Sequence, residues 1–451
     1  MKRTPATFAD FARRRRGSVL IIVLWVCVGL VSLTLYFANS MSSELRAADN
    51  RVVEIEARQA VAGGIRYAAY ILTQFATGGK VPDVANYQAE ALPVGDAHFW
   101  FIGRDNNTVP TSEPVFGLVD EASKLNLNTA TRSMIEALPG MTPDLADAIV
   151  SWRSARARAS ASASGGDASN TYSRLDPPRL NKGAPFETVD ELRLVYGATL
   201  EILFGEDTNR NGALDANEDD GDQSAPHDDQ NGQLLPGILE YVTVYSREPA
   251  TRASGGRRVN ITTPQGRQAL NALLLQRFGA ERTRAIVGSL GSGNLGSVAE
   301  FMVASRMTAD EFVQIHADIT AATGAARGLV NVNTASEAVL ACIPGIGPDN
   351  AATLVAYRLA HPDVLTSFAW LTQILGRGSI TRAGPYITDQ SYQFSVDVAG
   401  VGRSGRGYCR EKVIFDMSTG TPRIVYHQDL SSYGWALGAQ ARLTLRGDQQ
   451  T

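Results

Sequence analysis

The chain has 451 residues, 44% hydrophobic and 20% charged, which is enough for two or three domains with apolar cores. Its net charge is −4 at pH 7, and the first 17 residues carry six basic side chains against one acidic, so the remainder is more acidic still. An acidic body repels a phosphate backbone, which argues against nucleic acid as a partner.

Arg13-Arg14-Arg15-Arg16-Gly17 runs straight into Ser18-Val-Leu-Ile-Ile22, and no charge returns until Glu44. As a helix this stretch is long enough to cross a hydrocarbon core of about 30 Å. The arginines keep the N-terminus inside and place residues after 45 outside. A secretory signal peptide has a shorter apolar core and a small-x-small cleavage site. A basic block closed by a single glycine resembles the type IV prepilin leader, which prepilin peptidase cuts between Gly17 and Ser18. An ordinary signal anchor is the plainer reading of the same residues. Most prepilins have Phe or Met first and Glu fifth after the cut, positions held here by Ser18 and Ile22. A glutamate at bilayer depth is costly unless paired, so its absence suits a subunit with none ahead of it.

From Glu44 to Phe75 apolar residues keep helical spacing, with Ala47, Ala48, Ile55, Ala60, Val61, Ile65, Ala68, Ile71 and Leu72 on the expected apolar face. Gly78-Gly79 ends the pattern. Strand patterns then cover 97–102 and 115–119, and recur far away at 392–398, 408–415 and 423–426. Neither group makes a sheet alone, so the two are expected to pair, with 121–390 inserted between them.

The insertion reads as helical, with three degenerate repeats. Each opens on an asparagine motif, Leu125-Asn-Leu-Asn-Thr-Ala130, Val259-Asn-Ile-Thr-Thr263 and Val330-Asn-Val-Asn-Thr-Ala335, and reaches an apolar helix near 186–192, 297–301 and 367–371. Thr188 with Glu191, Thr308 with Glu311 and Thr334 with Glu337 have capping-box spacing. Ser151 to Lys182 is low in complexity and reads as a long flexible loop. Two repeats carry a helix-hairpin-helix signature, with turns at Pro139-Gly140 and at Pro344-Gly345-Ile-Gly347. Such turns can grip a DNA phosphate through free amides, but each is followed by Pro-Asp rather than by basic residues.

Asp207-Thr-Asn209-Arg-Asn211-Gly212-Ala213-Leu-Asp215-Ala-Asn-Glu218 matches a twelve-residue EF-hand loop at every ligand position. Asp207, Asn209, Asn211, Asp215 and Glu218 offer side-chain oxygens, Ala213 a carbonyl, and Gly212 permits the bend. Calcium takes six to eight such hard donors. An acidic solvated loop is the alternative. Asp219, Asp220, Asp222, Asp228 and Asp229 follow closely and are candidates for a second ion. No catalytic constellation is found, and Gly291–Gly296 and Gly400–Gly405 lack the strand-turn-helix context of a dinucleotide site. Cys342 and Cys409 are read either as a disulfide or as buried thiols.

The leader junction, Ile22, Asp120-Glu-Ala-Ser-Lys-Leu-Asn-Leu-Asn-Thr-Ala130 with its hairpin, Val189-Asp-Glu-Leu-Arg-Leu-Val195, Tyr241-Val-Thr-Val-Tyr245 and the second Asn-Val-Asn-Thr-Ala together resemble the general secretion pathway protein K family, the minor pseudopilins of type II secretion. The resemblance implies an α+β fold: a leader (1–17), a transmembrane helix (18–44), a periplasmic stalk (45–78), a pseudopilin sheet (79–120 and 391–440), an inserted all-α domain (121–390) with helix-hairpin-helix-like repeats, and a tail (441–451). It implies a non-enzymatic, calcium-binding tip subunit in the inner membrane, single-pass, with a cytoplasmic N-terminus. Its expected partners are other minor pseudopilins, inner-membrane secretion components and prepilin peptidase, with no nucleic acid. A middle repeat at 259–330 exceeds the family pattern. A membrane-anchored DNA receptor for uptake is the alternative function.

Overall fold

Helix α1 spans Arg16–Phe75, 60 residues, and among its described side chains, which begin at Val19, none before Val53 is buried. A computed structural model describes residues 16–107, 110–154, 171–252, 255–291 and 295–447, so the leader through residue 15, residues 155–170 of the expected flexible loop and the end of the tail lie outside the described residues. Among the described residues α1 is the one helix long and apolar enough to cross a membrane. Its second half buries Val53, Ala57, Ala60, Val61, Ala68, Ile71 and Leu72, a stripe at helical spacing. Ile55 was expected on this stripe but is 58% exposed, because two positions on from Val53 is about 200° around the helix. Ala47 and Ala48 are also exposed, since the packing begins only at Val53.

The stripe packs on an antiparallel sheet of six strands: β1 (Leu92–Val94), β2 (Ala97–Ile102), β3 (Val119–Asp120), β4 (Gln393–Val401), β5 (Tyr408–Asp416) and β6 (Arg423–Asp429). The order is β1-β2-β4-β5-β6, with β3 also on β4. Phe99 faces Gly400 and Phe101 faces Val398, so the early and late strands meet and everything between is inserted. Of the strand expected at 115–119, Phe116 makes only a single bridge to Ile102 and the strand proper starts at Val119. Phe394, Val396 and Val398 join the core under α1. A Cβ at Gly400 would lie 2.4 Å from the Ala57 carbonyl oxygen, so glycine there lets helix and strand touch backbone to backbone. On the other face, Ala399 and Val401 are covered by Ala436 and Leu437, and Asp397 faces the insertion.

The insertion is not all-α. Each asparagine motif forms a two-residue strand that pairs in parallel with the end of its own repeat: Leu125–Asn126 with Val242–Thr243, Val259–Asn260 with Ile319–Thr320, and Val330–Asn331 with Ile387–Thr388. Parallel neighbours need a long crossover, which the helices of each repeat supply. Asn126, Asn260 and Asn331 each accept the N–H two residues on, at 2.9, 2.9 and 3.0 Å, turning the chain from strand towards helix. Two of the three apolar helices, Val189–Leu194 and Phe368–Gln373, are 3-10 rather than α. Capping boxes form at Thr188/Glu191 and Thr308/Glu311. At the third place Ser336 caps the helix instead, because the Thr334 hydroxyl donates to buried Asp120 at 2.6 Å. Cys342 and Cys409 are buried free thiols in separate cores.

Candidate metal centre

Five residues of helix, Leu200–Phe204, lead into the loop, and Gly205 at φ +59° ends them. The loop leaves through a single 3-10 turn, Ala216–Glu218. Neither flank is the long helix of a full EF-hand, so the site is a loop set inside a larger segment.

Within the loop, Asp207 accepts the N–H groups of Asn211 and Gly212, both at 3.0 Å, which wraps the chain around the first ligand position. Asn209 and Asn211 each accept the amide two residues on, at 3.0 and 2.7 Å. Their own amides donate to Asp215 at 2.5 and 3.0 Å. Gly212 at φ +74° makes the bend. Glu218 reaches back across the loop and accepts from Thr208 and Asp215, both at 3.1 Å. Asp207, Asn211, Ala213 and Glu218 are all buried. Burial first, and then the Asp207 charge, push the Glu218 carboxyl up to about 8. Asp207 is raised by burial while Arg104 opposes the shift.

Among the described residues no group of three His, Cys, Asp or Glu side chains is arranged to hold a metal, and Asp207, Asp215 and Glu218 each accept amides of the loop. The donor set suits calcium nevertheless: oxygens only, from carboxylates, amides and one carbonyl, on a loop bent as the spacing predicts. Asp207, Asn209, Asn211, Asp215, Glu218 and the Ala213 carbonyl are the groups that would hold the ion. Asp228 caps the amides of Asp220, Gly221 and Gln230, and Asp219 that of Gly232.

Two arginines that the sequence reading passed over hold the loop from outside. Arg410 on β5, fully buried, forks onto Asp397 at 2.8 and 2.6 Å and donates to the carbonyls of Asn209 and Arg210 at 2.5 and 2.8 Å. Arg104, just past β2, pairs with Glu240 at 2.9 Å and donates to Arg210 and Asn211 at 2.9 and 3.2 Å. Burial alone would lower the Arg410 pKa, but the Asp397 carboxylate carries it above its ordinary value. The loop is thus fastened to the sheet through its backbone, which leaves its side chains turned to one another.

At both expected hairpin positions a turn joins two helices. Pro139-Gly140 joins the helices Arg132–Glu136 and Pro143–Trp152, and Pro344-Gly345 joins Glu337–Ala341 to the helix that starts at Gly347. Gly140, Gly345 and Gly347 have φ of +68°, +92° and +70°. The arginine at the same place in each hairpin turns inward. Arg153 donates to the carbonyls of Leu127 and Ala130, and Arg358, 2% exposed, to that of Val332 at 3.0 Å. Both fasten an asparagine motif instead of facing solvent.

Residues 119–203 match the family model of the type II secretion system (T2SS), protein K. No curated protein matches the chain. A crystal structure of the GspK-GspI-GspJ complex from the type 2 secretion system of enterotoxigenic Escherichia coli is similar over 86% of this chain and 99% of that chain, at 9% identity and a TM-score of 0.38. By the match over residues 119–203, which takes in β3 and most of the first repeat, the chain resembles protein K of the type II secretion system, the family its motifs had indicated.

Proposed function

We propose that the chain is a non-enzymatic minor pseudopilin at the tip of a type II secretion pseudopilus, stabilised by calcium at the 207–218 loop. The protein K match over residues 119–203 carries this reading. The first half of α1 supports it, being an apolar surface that none of the described residues covers, with Ile22 itself 61% exposed. That half would anchor the protein in the inner membrane once, N-terminus in the cytoplasm, after prepilin peptidase has cut between Gly17 and Ser18. It would then pack against other minor pseudopilins and inner-membrane components of the system. The ion supplies positive charge to a buried acidic loop, and the chain's own part is to bend that loop and fasten it to the sheet. For the alternative of DNA uptake, Arg153 and Arg358 turn inward onto backbone carbonyls, so neither is offered to a phosphate.

The test is a photo-crosslinker at exposed Ile55 of the full chain, expressed in the cell whose secretion it supports. Crosslinks to other pseudopilins, and loss of secretion when the gene is deleted, are the expected results. Secretion unchanged by the deletion, with no pseudopilin captured, overturns the proposal.

A further inference from the structure

Between the sheet and the insertion, beside the outer carbonyls of the loop, lies a cavity of about 20 Å³, large enough for one water-sized occupant. Lys124, Arg210, Lys412 and Arg104 line it, with Glu240 and Asp397 opposite. Both acids are already committed, Glu240 to Arg104 and Asp397 to Arg410. Lys124 is 7% exposed, and among the described residues neither its ammonium nor that of Lys412 has a hydrogen bond or an ion pair. Arg210 Nη1 is buried without a partner. Glu121, outside the lining and already accepting the Thr243 hydroxyl, attracts both lysines through space, which leaves buried Lys124 and half-buried Lys412 and Arg210 near a single carboxylate.

An ammonium is all donor and needs acceptors, and like charges out of water repel strongly. Water would satisfy the first need and not the second. We propose that this cavity binds a single small inorganic anion of chloride size, held by Lys124, Lys412 and Arg210, which offsets part of the excess positive charge at the junction between sheet and insertion. Burial and then Lys124 push the Lys412 ammonium down to about 8. The site goes beyond the pseudopilin reading and does not need the metal.

Melting of the full chain in detergent, in sodium chloride against sodium gluconate at equal ionic strength, tests the site, because gluconate is too large to enter. The melting temperature should be higher in chloride by at least about 2 °C, bromide should replace chloride, and Lys412→Met and Lys124→Met should each abolish the difference. Because either variant could fold poorly, the unmodified protein gives a second readout: crystals soaked in bromide should show one anomalous peak beside the two ammoniums. A water only at that place, equal melting in both salts, or a salt difference kept by folded variants overturns the proposal.

Discussion

The sheet has two faces, and they are joined to the rest of the molecule by opposite means. Towards α1 the contact is apolar and close, with Gly64 and Gly400 removing side chains where helix and strands touch. Towards the insertion it is charged: Arg410 with Asp397, Arg104 with Glu240, Arg247 with Asp416, and Asp120 taking the side chains of Asn331, Thr334 and Ser391. The first contact depends on shape, the second on every polar group having its partner. The apolar face should be indifferent to pH and salt, whereas the charged one should respond to both, since buried ion pairs hold only while complete.

The largest effect should come from breaking one pair on the charged face. Arg410→Met leaves Asp397 buried and two loop carbonyls without their donor, and should cost about 3–5 kcal/mol in denaturant unfolding. Adding Asp397→Leu should restore part of that, because the stranded charge is then gone. On the apolar face, Gly400→Val forces a side chain against the Ala57 carbonyl and should cost about 1–3 kcal/mol, with no recovery from any change of charge or salt. If the two losses respond alike to ionic strength, the contrast between the faces is wrong.

The apolar face was the more legible in the sequence. Alternation at 392–398 and the run 97–102 gave its strands, because a half-buried strand writes its period into local composition. The pairing of early and late strands followed once neither could form a sheet alone. Metal-loop spacing is local too, so the bend at Gly212 could be read directly, and the ligand roles of Asp207 and Glu218 are what the melting measurement decides. What could not be read was long-range. The three parallel strand pairs are two residues each, too short for any period. Arg410 meets Asn209 across 201 residues, and Thr334 meets Asp120 across 214, so a capping spacing at Thr334 was overridden by a partner no window could show.

The central claim is that the loop fastened to the charged face is a calcium site, and melting with and without the ion tests it most directly. Glu218 holds the last ligand position, so the full chain should melt higher in calcium than in chelator. The difference should correspond to about 2.7 kcal/mol at a hundredfold excess over the dissociation constant. Glu218→Gln should remove most of it, and magnesium should substitute poorly for want of a small octahedral set. Identical melting of the unmodified protein in calcium and in chelator would contradict the account and leave 207–218 as an acidic loop pinned by two arginines.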